Sequence, residues 1–133
     1  MTNFPLKIVT PDGLFYDGQA ESVTLRTQSG EVGILAGHMD YVTVLGMGRA
    51  KIVMDGKARY ASCIGGMLSV SQGSVTVVAT TFEWAEDIDV KRAEQAAQNA
   101  RAIIQDKTNH TKEEIALAEA RLKRALVRIG SAK

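Results

Sequence analysis

Residues 51–64 run Lys51-Ile52-Val53-Met54-Asp55-Gly56-Lys57-Ala58-Arg59-Tyr60-Ala61-Ser62-Cys63-Ile64. Asp55-Gly56 places two residues that tolerate positive φ between two segments able to form strands, which is the pattern of a tight β-hairpin. The same alternation of short apolar bursts and turn signals extends in both directions from this stretch. From Leu6 to Ala79 the apolar residues recur with a period near two, as at Val23 and Leu25. The breaks are Pro11-Asp12-Gly13, Asp17-Gly18, Ser29-Gly30, Gly37-His38, Asp55-Gly56, Gly65-Gly66 and Gln72-Gly73, each able to preset a turn. A β-sandwich of about ten short strands is therefore expected over residues 1–84.

Beyond Thr80 the composition changes. Both prolines lie in the first eleven residues, every glycine except Gly130 lies before residue 75, and alanine with long polar side chains then dominates, which favours helix. A first helix is expected from Asp87 or Asp89 to about Gln105, with the stripe Ala93, Ala96, Ala97, Ala100, Ile103 and Ile104 on one face. Asp106 to His110 forms the turn. A second helix opens on the capping-box pair Thr111 and Glu114, continues through Ile115, Ala118, Leu122, Ala125, Leu126 and Ile129, and stops at Gly130. Residues 85–133 thus read as an antiparallel two-helix hairpin. Its alanine-lined face removes little apolar area from water, so at about 0.8 kcal/mol per buried methylene a net stability of only a few kcal/mol is expected.

At 133 residues with 45% hydrophobic content, the chain is long enough to build a core of its own and is not a disordered tail. Sixteen basic against fifteen acidic residues give a net charge of +1, which provides no general attraction to nucleic acid or an anionic membrane. The front is mildly acidic and the tail mildly basic. Cys63 is the only cysteine, so an intrachain disulfide and a multi-cysteine metal cage are excluded, a reducing compartment fits, and the thiol is expected to be buried and inert. No apolar run approaches the roughly 18 residues of a spanning helix, and the start has no signal-peptide core, so no direct membrane insertion is expected.

Catalytic arrangements are missing from the sequence. His38 and His110 are the only histidines, and there is no nucleophile elbow, zinc-protease helix, Walker loop or dinucleotide fingerprint; Gly46-Met47-Gly48 is too short to be one. No active site and no metal site are expected. His38, in the glycine-framed loop Leu35-Ala36-Gly37-His38, reads as a solvated turn residue or a partner contact. Glu83, Glu86, Asp87 and Asp89 around Trp84 fit the dipole of a helix start better than a cation site, and Trp84 is expected to seal the junction between the two parts. Arg121, Arg124 and Arg128 form one stripe roughly opposite the apolar stripe of the second helix, either as a solvated face or as an anion contact. From the residues alone, an interaction protein, a free-standing ligand-binding sandwich and a small enzyme remain open.

The order Val9-Thr10-Pro11-Asp12-Gly13, then Ser29-Gly30-Glu31-Val32-Gly33-Ile34-Leu35-Ala36-Gly37-His38, then Gly65-Gly66-Met67-Leu68-Ser69-Val70, then Ala85-Glu86-Asp87-Ile88-Asp89-Val90-Lys91-Arg92-Ala93 resembles the epsilon subunit of F-type ATP synthases over essentially the whole chain. The resemblance implies a non-catalytic part of the rotary central stalk, bound to the gamma subunit and to the c-ring, peripheral on the cytoplasmic face of the plasma membrane. It implies c-ring contact at Glu31, Gly37, His38, Met39 and Asp40. It also implies a regulatory hairpin that, when extended, obstructs ATP hydrolysis, with Arg121, Lys123, Arg124 and Arg128 meeting the catalytic alpha and beta subunits. No cofactor is required, and ATP enters as an optional regulatory ligand of the folded-down form, at Glu83, Ile88, Asp89, Arg92, Ala93, Arg124 and Arg128. Two positions depart from the family pattern: Asn99 stands where nucleotide-binding relatives carry a basic residue, and Ala36 stands where the loop has proline.

Overall fold

Phe4, Leu6 and Ile8 alternate with exposed neighbours and are all buried, so a period of two sets the inward face of the first strand. In the computed structural model, which describes residues 2–132, the strands are β1 (Phe4–Thr10), β2 (Gly13–Ala20), β3 (Ser22–Thr27), β4 (Gly30–Leu35), β5 (Tyr41–Met54), β6 (Lys57–Ser71) and β7 (Ser74–Trp84). A 3₁₀ turn at Ala85–Asp87 leads into α1 (Val90–Gln105), and another at Lys107–Asn109 leads into α2 (Lys112–Ser131).

The strands form one ladder in the order β2-β1-β7-β6-β5-β3-β4, antiparallel except where β1 lies parallel to β7. The ladder folds over on itself, since β2 touches β5 although β1, β7 and β6 stand between them. Ile8, Leu25, Ile34, Ile52, Leu68 and Val77 meet in the single core between the layers. This is the expected sandwich with its strands recounted: seven strands, of which β5, β6 and β7 are long, replace the about ten short ones. Asp17-Gly18 lies inside β2, and β6 runs through Gly65-Gly66 in unbroken register with both neighbours. Gly66 is needed for another reason. Its φ is +121°, and a Cβ there would collide with the carbonyl oxygen of Val78 on β7, so glycine permits a close approach of strands rather than a turn. Asp55-Gly56 does turn, with φ of 52° and 75° and Met54 paired to Lys57, the doubly positive geometry that hairpins prefer.

In the hairpin, Asp89 caps α1 by accepting the Arg92 amide at 3.1 Å. Thr111 and Glu114 make both hydrogen bonds of the capping box that starts α2. The expected stop at Gly130 is corrected: α2 continues through it to Ser131, whose hydroxyl donates to the Val127 carbonyl at 2.6 Å. Ala93, Ala97 and Ala100 of α1 and Ala118 and Ala125 of α2 are buried. The helix laid on the sandwich is α2, over β5 and β6, with α1 packed on α2. Ala61, Ser62, Cys63 and Ile64 are buried in succession on β6, which requires both faces of the strand to be covered. Ala61 and Cys63 belong to the core, and Ser62 and Ile64 point to the opposite face, beneath α2. Burial pushes the Cys63 thiol up to about 12, so it is an inert core group.

Trp84 ends β7 in a cluster with Phe15, Tyr16 and Phe82, at ring separations of 5.6, 6.2 and 5.6 Å. The Arg59 guanidinium lies 3.8 Å from its ring centre and also binds the Glu86 carboxylate at 2.6 Å. Trp84 pairs with Ala61 and belongs to the sandwich core, so it plugs the end of the sandwich, and the contact that reaches the hairpin here is the Arg59 to Glu86 ion pair.

Candidate functional site

Arg121, Arg124 and Arg128 stand along one lip of a groove between the helices, with Ala96, Asn99, Ala100 and Ile103 of α1 opposite and Ala125 on its wall, enclosing about 330 Å³. The basic stripe therefore flanks the apolar stripe instead of opposing it, because long arginine stems lie along an alanine-lined seam while their heads reach water. Arg128 turns from the groove towards the sandwich, and its Nε donates to Glu83 Oε1 at 2.6 Å. Glu83 pairs across the ladder with Ser62 and so lies on the face that α2 covers. This ion pair ties α2 to β7. Asn99 accepts from the Gln95 side-chain amide at 2.9 Å and adds no charge opposite the arginines.

The remaining members of the nucleotide set lie elsewhere. Ile88 and Ala93 are buried, Asp89 is engaged as the α1 cap, and the Arg92 side chain is exposed. None of them lines the inter-helix groove. The structure thus places Arg124 and Arg128 on that groove, Glu83 beyond it on β7 against Arg128, and Ile88, Asp89, Arg92 and Ala93 at the foot of α1. Glu83 and Arg128 also line a second cleft of about 340 Å³ with Thr80 and Phe82. Lys123 points away from the three arginines, into a different groove formed against the sandwich, since 200° of helical rotation separate it from Arg121.

Glu31 opens β4, whereas Gly37, His38, Met39 and Asp40 follow the end of that strand, about 13 Å further along it. The loop is held firmly. The His38 amide donates to the Leu35 carbonyl at 3.2 Å, Gly37 takes φ of 81°, and Asp40 accepts the Gln72 amide at 2.9 Å, fastening the loop to the β6–β7 turn. Met39 is 76% exposed at its tip.

An apolar row escaped the sequence reading. Val44, Met67 and Val78 are direct cross-strand neighbours on β5, β6 and β7, each about half exposed, with Val42 beside them on β5. A contiguous exposed row of this kind marks an interaction surface. The available signal was apolar residues in both phases of a strand, as at Met67-Leu68 and Val77-Val78, which shows that both faces are apolar but not which one is free.

The family profile described as the ATP synthase delta/epsilon chain, β-sandwich domain, matches residues 3–85, and that of the long α-helix domain matches residues 86–133. The chain belongs to the ATP synthase delta/epsilon family. Curated relatives named ATP synthase epsilon chain include one from Ruminococcus albus, 43% identical over 133 residues, covering 99% of this chain and 98% of the relative. Another, from Bacillus cytotoxicus, is 40% identical over 129 residues, covering 97% and 96%. A chain in the cryo-EM structure of the Euglena gracilis mitochondrial ATP synthase, comprising OSCP, F1 and c-ring, superposes with a TM-score of 0.85 at 24% identity, covering 100% of this chain and 83% of that one. The epsilon chain of this family is a non-catalytic subunit of ATP synthase, and the protein is accordingly no enzyme by itself. Among the described residues, no helix is long and apolar enough to cross a membrane.

Proposed function

We propose that this epsilon-family chain works in the central stalk of its ATP synthase, its sandwich joining the gamma shaft to the c-ring and its hairpin restraining ATP hydrolysis. In this reading the subunit is peripheral, on the cytoplasmic face of the membrane, with residues 1–84 as the fixed unit and residues 85–133 as the part that moves. The observation that carries the regulatory reading is the way α2 is attached. Small side chains line the hairpin seam, and the Arg128 to Glu83 ion pair ties α2 to β7. The arginine that holds the hairpin down is therefore also one of those, with Arg121, Arg124 and Lys123, that would meet acidic segments of the catalytic subunits once it is released. Replacing Arg121 and Arg124 by alanine, which leaves the Arg128 to Glu83 tie in place, should raise the ATPase rate of the assembled enzyme. An unchanged rate with normal assembly would count against the inhibitory role.

Two further assignments belong to the same reading. The apolar row at Val44, Met67 and Val78 suits the gamma shaft, while Glu31 and the pinned loop Gly37 to Asp40 suit the polar surface of the c-ring. Met67→Glu should abolish copurification with gamma without unfolding the isolated chain. Regulatory ATP would bind the folded-down form through Asp89 and Arg92 together with Glu83, Arg124 and Arg128, more weakly than in relatives with a cation at position 99. Calorimetry on the isolated subunit decides this, and no heat at millimolar ATP would end it.

A further inference from the structure

A groove of about 820 Å³ lies between α2 and the outer faces of β3, β5 and β6. Its charged lining is Arg26, Arg49, Lys51 and Lys123 against Glu31, which stands across the β3–β4 ladder from Arg26. Among the described residues none of these cations has a carboxylate within 4.0 Å, whereas Arg59 and Arg128 are both paired. Unpaired like charges converging on a cleft over a low-dielectric sheet repel one another and focus a positive potential into it.

The arrangement is built into the sheet. Arg49 and Lys51 lie two residues apart on β5, about 7 Å along the strand, and Arg26 stands on the adjacent β3 where the register of the two strands shifts, over Gly48. Arg26 lies across β5 only because Gly46 and Gly48 leave room, since a Cβ at Gly48 would come within 2.9 Å of the Arg26 Cβ. The Gly46-Met47-Gly48 stretch is therefore a bed for an arginine. Arg49 is oriented by Tyr60, whose ring centre lies 4.4 Å from its guanidinium. Lys123 completes the groove from α2, so the full set of cations exists only while the hairpin is docked. Guanidinium and ammonium groups at this spacing suit the several oxygens of linked phosphates.

We propose that this groove binds a small oligophosphate, either inorganic or the phosphate chain of a nucleotide, and that the bound anion holds α2 on the sandwich. The site uses none of Asp89, Arg92, Arg124 or Arg128, so it stands or falls separately from the regulatory ATP reading. The probe is sodium tripolyphosphate, titrated calorimetrically into the full chain at low ionic strength. Saturable binding is expected, weakened at least about tenfold by Arg49→Gln with Lys51→Gln. Both side chains are exposed, and a circular dichroism spectrum matching the wild type confirms that the variant folds. Lys123→Gln should also weaken binding and abolish the slowing of α2 amide exchange that the ligand causes. Arg92→Ala should leave tripolyphosphate binding intact. ATP displacing the probe from the Arg92→Ala chain identifies a nucleotide source and failure to displace identifies an inorganic one; the site stands either way. Absence of binding at millimolar tripolyphosphate overturns the proposal. So does binding that survives the Arg49 and Lys51 changes but is lost in Arg124→Gln, because the anion then sits between the helices.

Discussion

Arg128→Ala should release the hairpin while leaving the sandwich intact. The Nε to Oε1 distance of 2.6 Å is that of a strong charge-assisted bond, but the two side chains are 38% and 27% exposed, so screening holds the pair to about 0.5–1 kcal/mol. Loss of the arginine stem along the groove adds about 0.5 kcal/mol. The sum, about 1–1.5 kcal/mol, is roughly a five- to twelvefold fall in the ratio of docked to released hairpin. Amide exchange measures this directly: α2 amides should exchange faster by that factor, with Leu68 and Val77 of the sandwich core unchanged. Glu83→Gln alone should give about the lower end of the range, and combining the two changes should add little to Arg128→Ala, because they break the same contact. Unchanged α2 exchange in Arg128→Ala would refute the latch, and full additivity of the two changes would show that the side chains act independently.

Three other predictions concern the fold. Gly66→Ala should destabilise the sandwich by about 3 kcal/mol or more, since φ of +121° and the Val78 carbonyl both oppose a Cβ; urea unfolding beside Gly56→Ala, which meets no neighbour, separates the collision from the cost of positive φ. The Glu114 carboxyl is held below its usual 4.5, first by its hydrogen bond with His110 and then by the Thr111 amide. A depressed carboxylate contributes stability that is present above 4.5 and lost as pH falls through its lower folded value. The first turn of α2 should therefore fray in that acid range, as read by exchange at its amides, and Glu114→Gln should lose the dependence. Cys63, buried and pushed up to about 12, should resist thiol reagents at mildly alkaline pH and react only on unfolding, so rapid modification of the native chain would contradict the burial.

Sequence reasoning succeeded where a local interaction dictates conformation. Asp55-Gly56 admits the doubly positive turn with little competition, and Thr111 with Glu114 satisfies helix-start amides from three residues away, so both features were readable without tertiary knowledge. It failed where the same residue serves two ends. Gly65-Gly66 reads as a turn, yet its glycines admit a neighbouring strand, and Gly130 reads as a helix stop, yet is passed by one residue. The site divides in the same way. Helical spacing identifies Arg121, Arg124 and Arg128 as one stripe, but the Glu83 contact joins residues distant in the chain and depends on which sheet face α2 covers. The groove of Arg26, Arg49, Lys51 and Lys123 gathers cations from three separate elements, none of which forms a charge run. Nothing in periodicity distinguishes Val78, which is exposed, from Val77, which is buried, because both phases of that strand are apolar.

The parallel pairing of β1 with β7 has a consequence for how the chain comes into being. Leu6 aligns with Val75 and Ile8 with Val77, so β1, made before β2 to β6, has to wait for β7. During synthesis β1 and β2 can form a hairpin, but one flank of β1 stays an open edge until residues 74–84 have emerged. Contacts so distant in sequence make for slow closure, and an open apolar edge is a template for pairing with another chain. The nascent chain, more than the finished subunit, is the form most exposed to aggregation, and a ribosome stalled before Ser74 would leave it in that form.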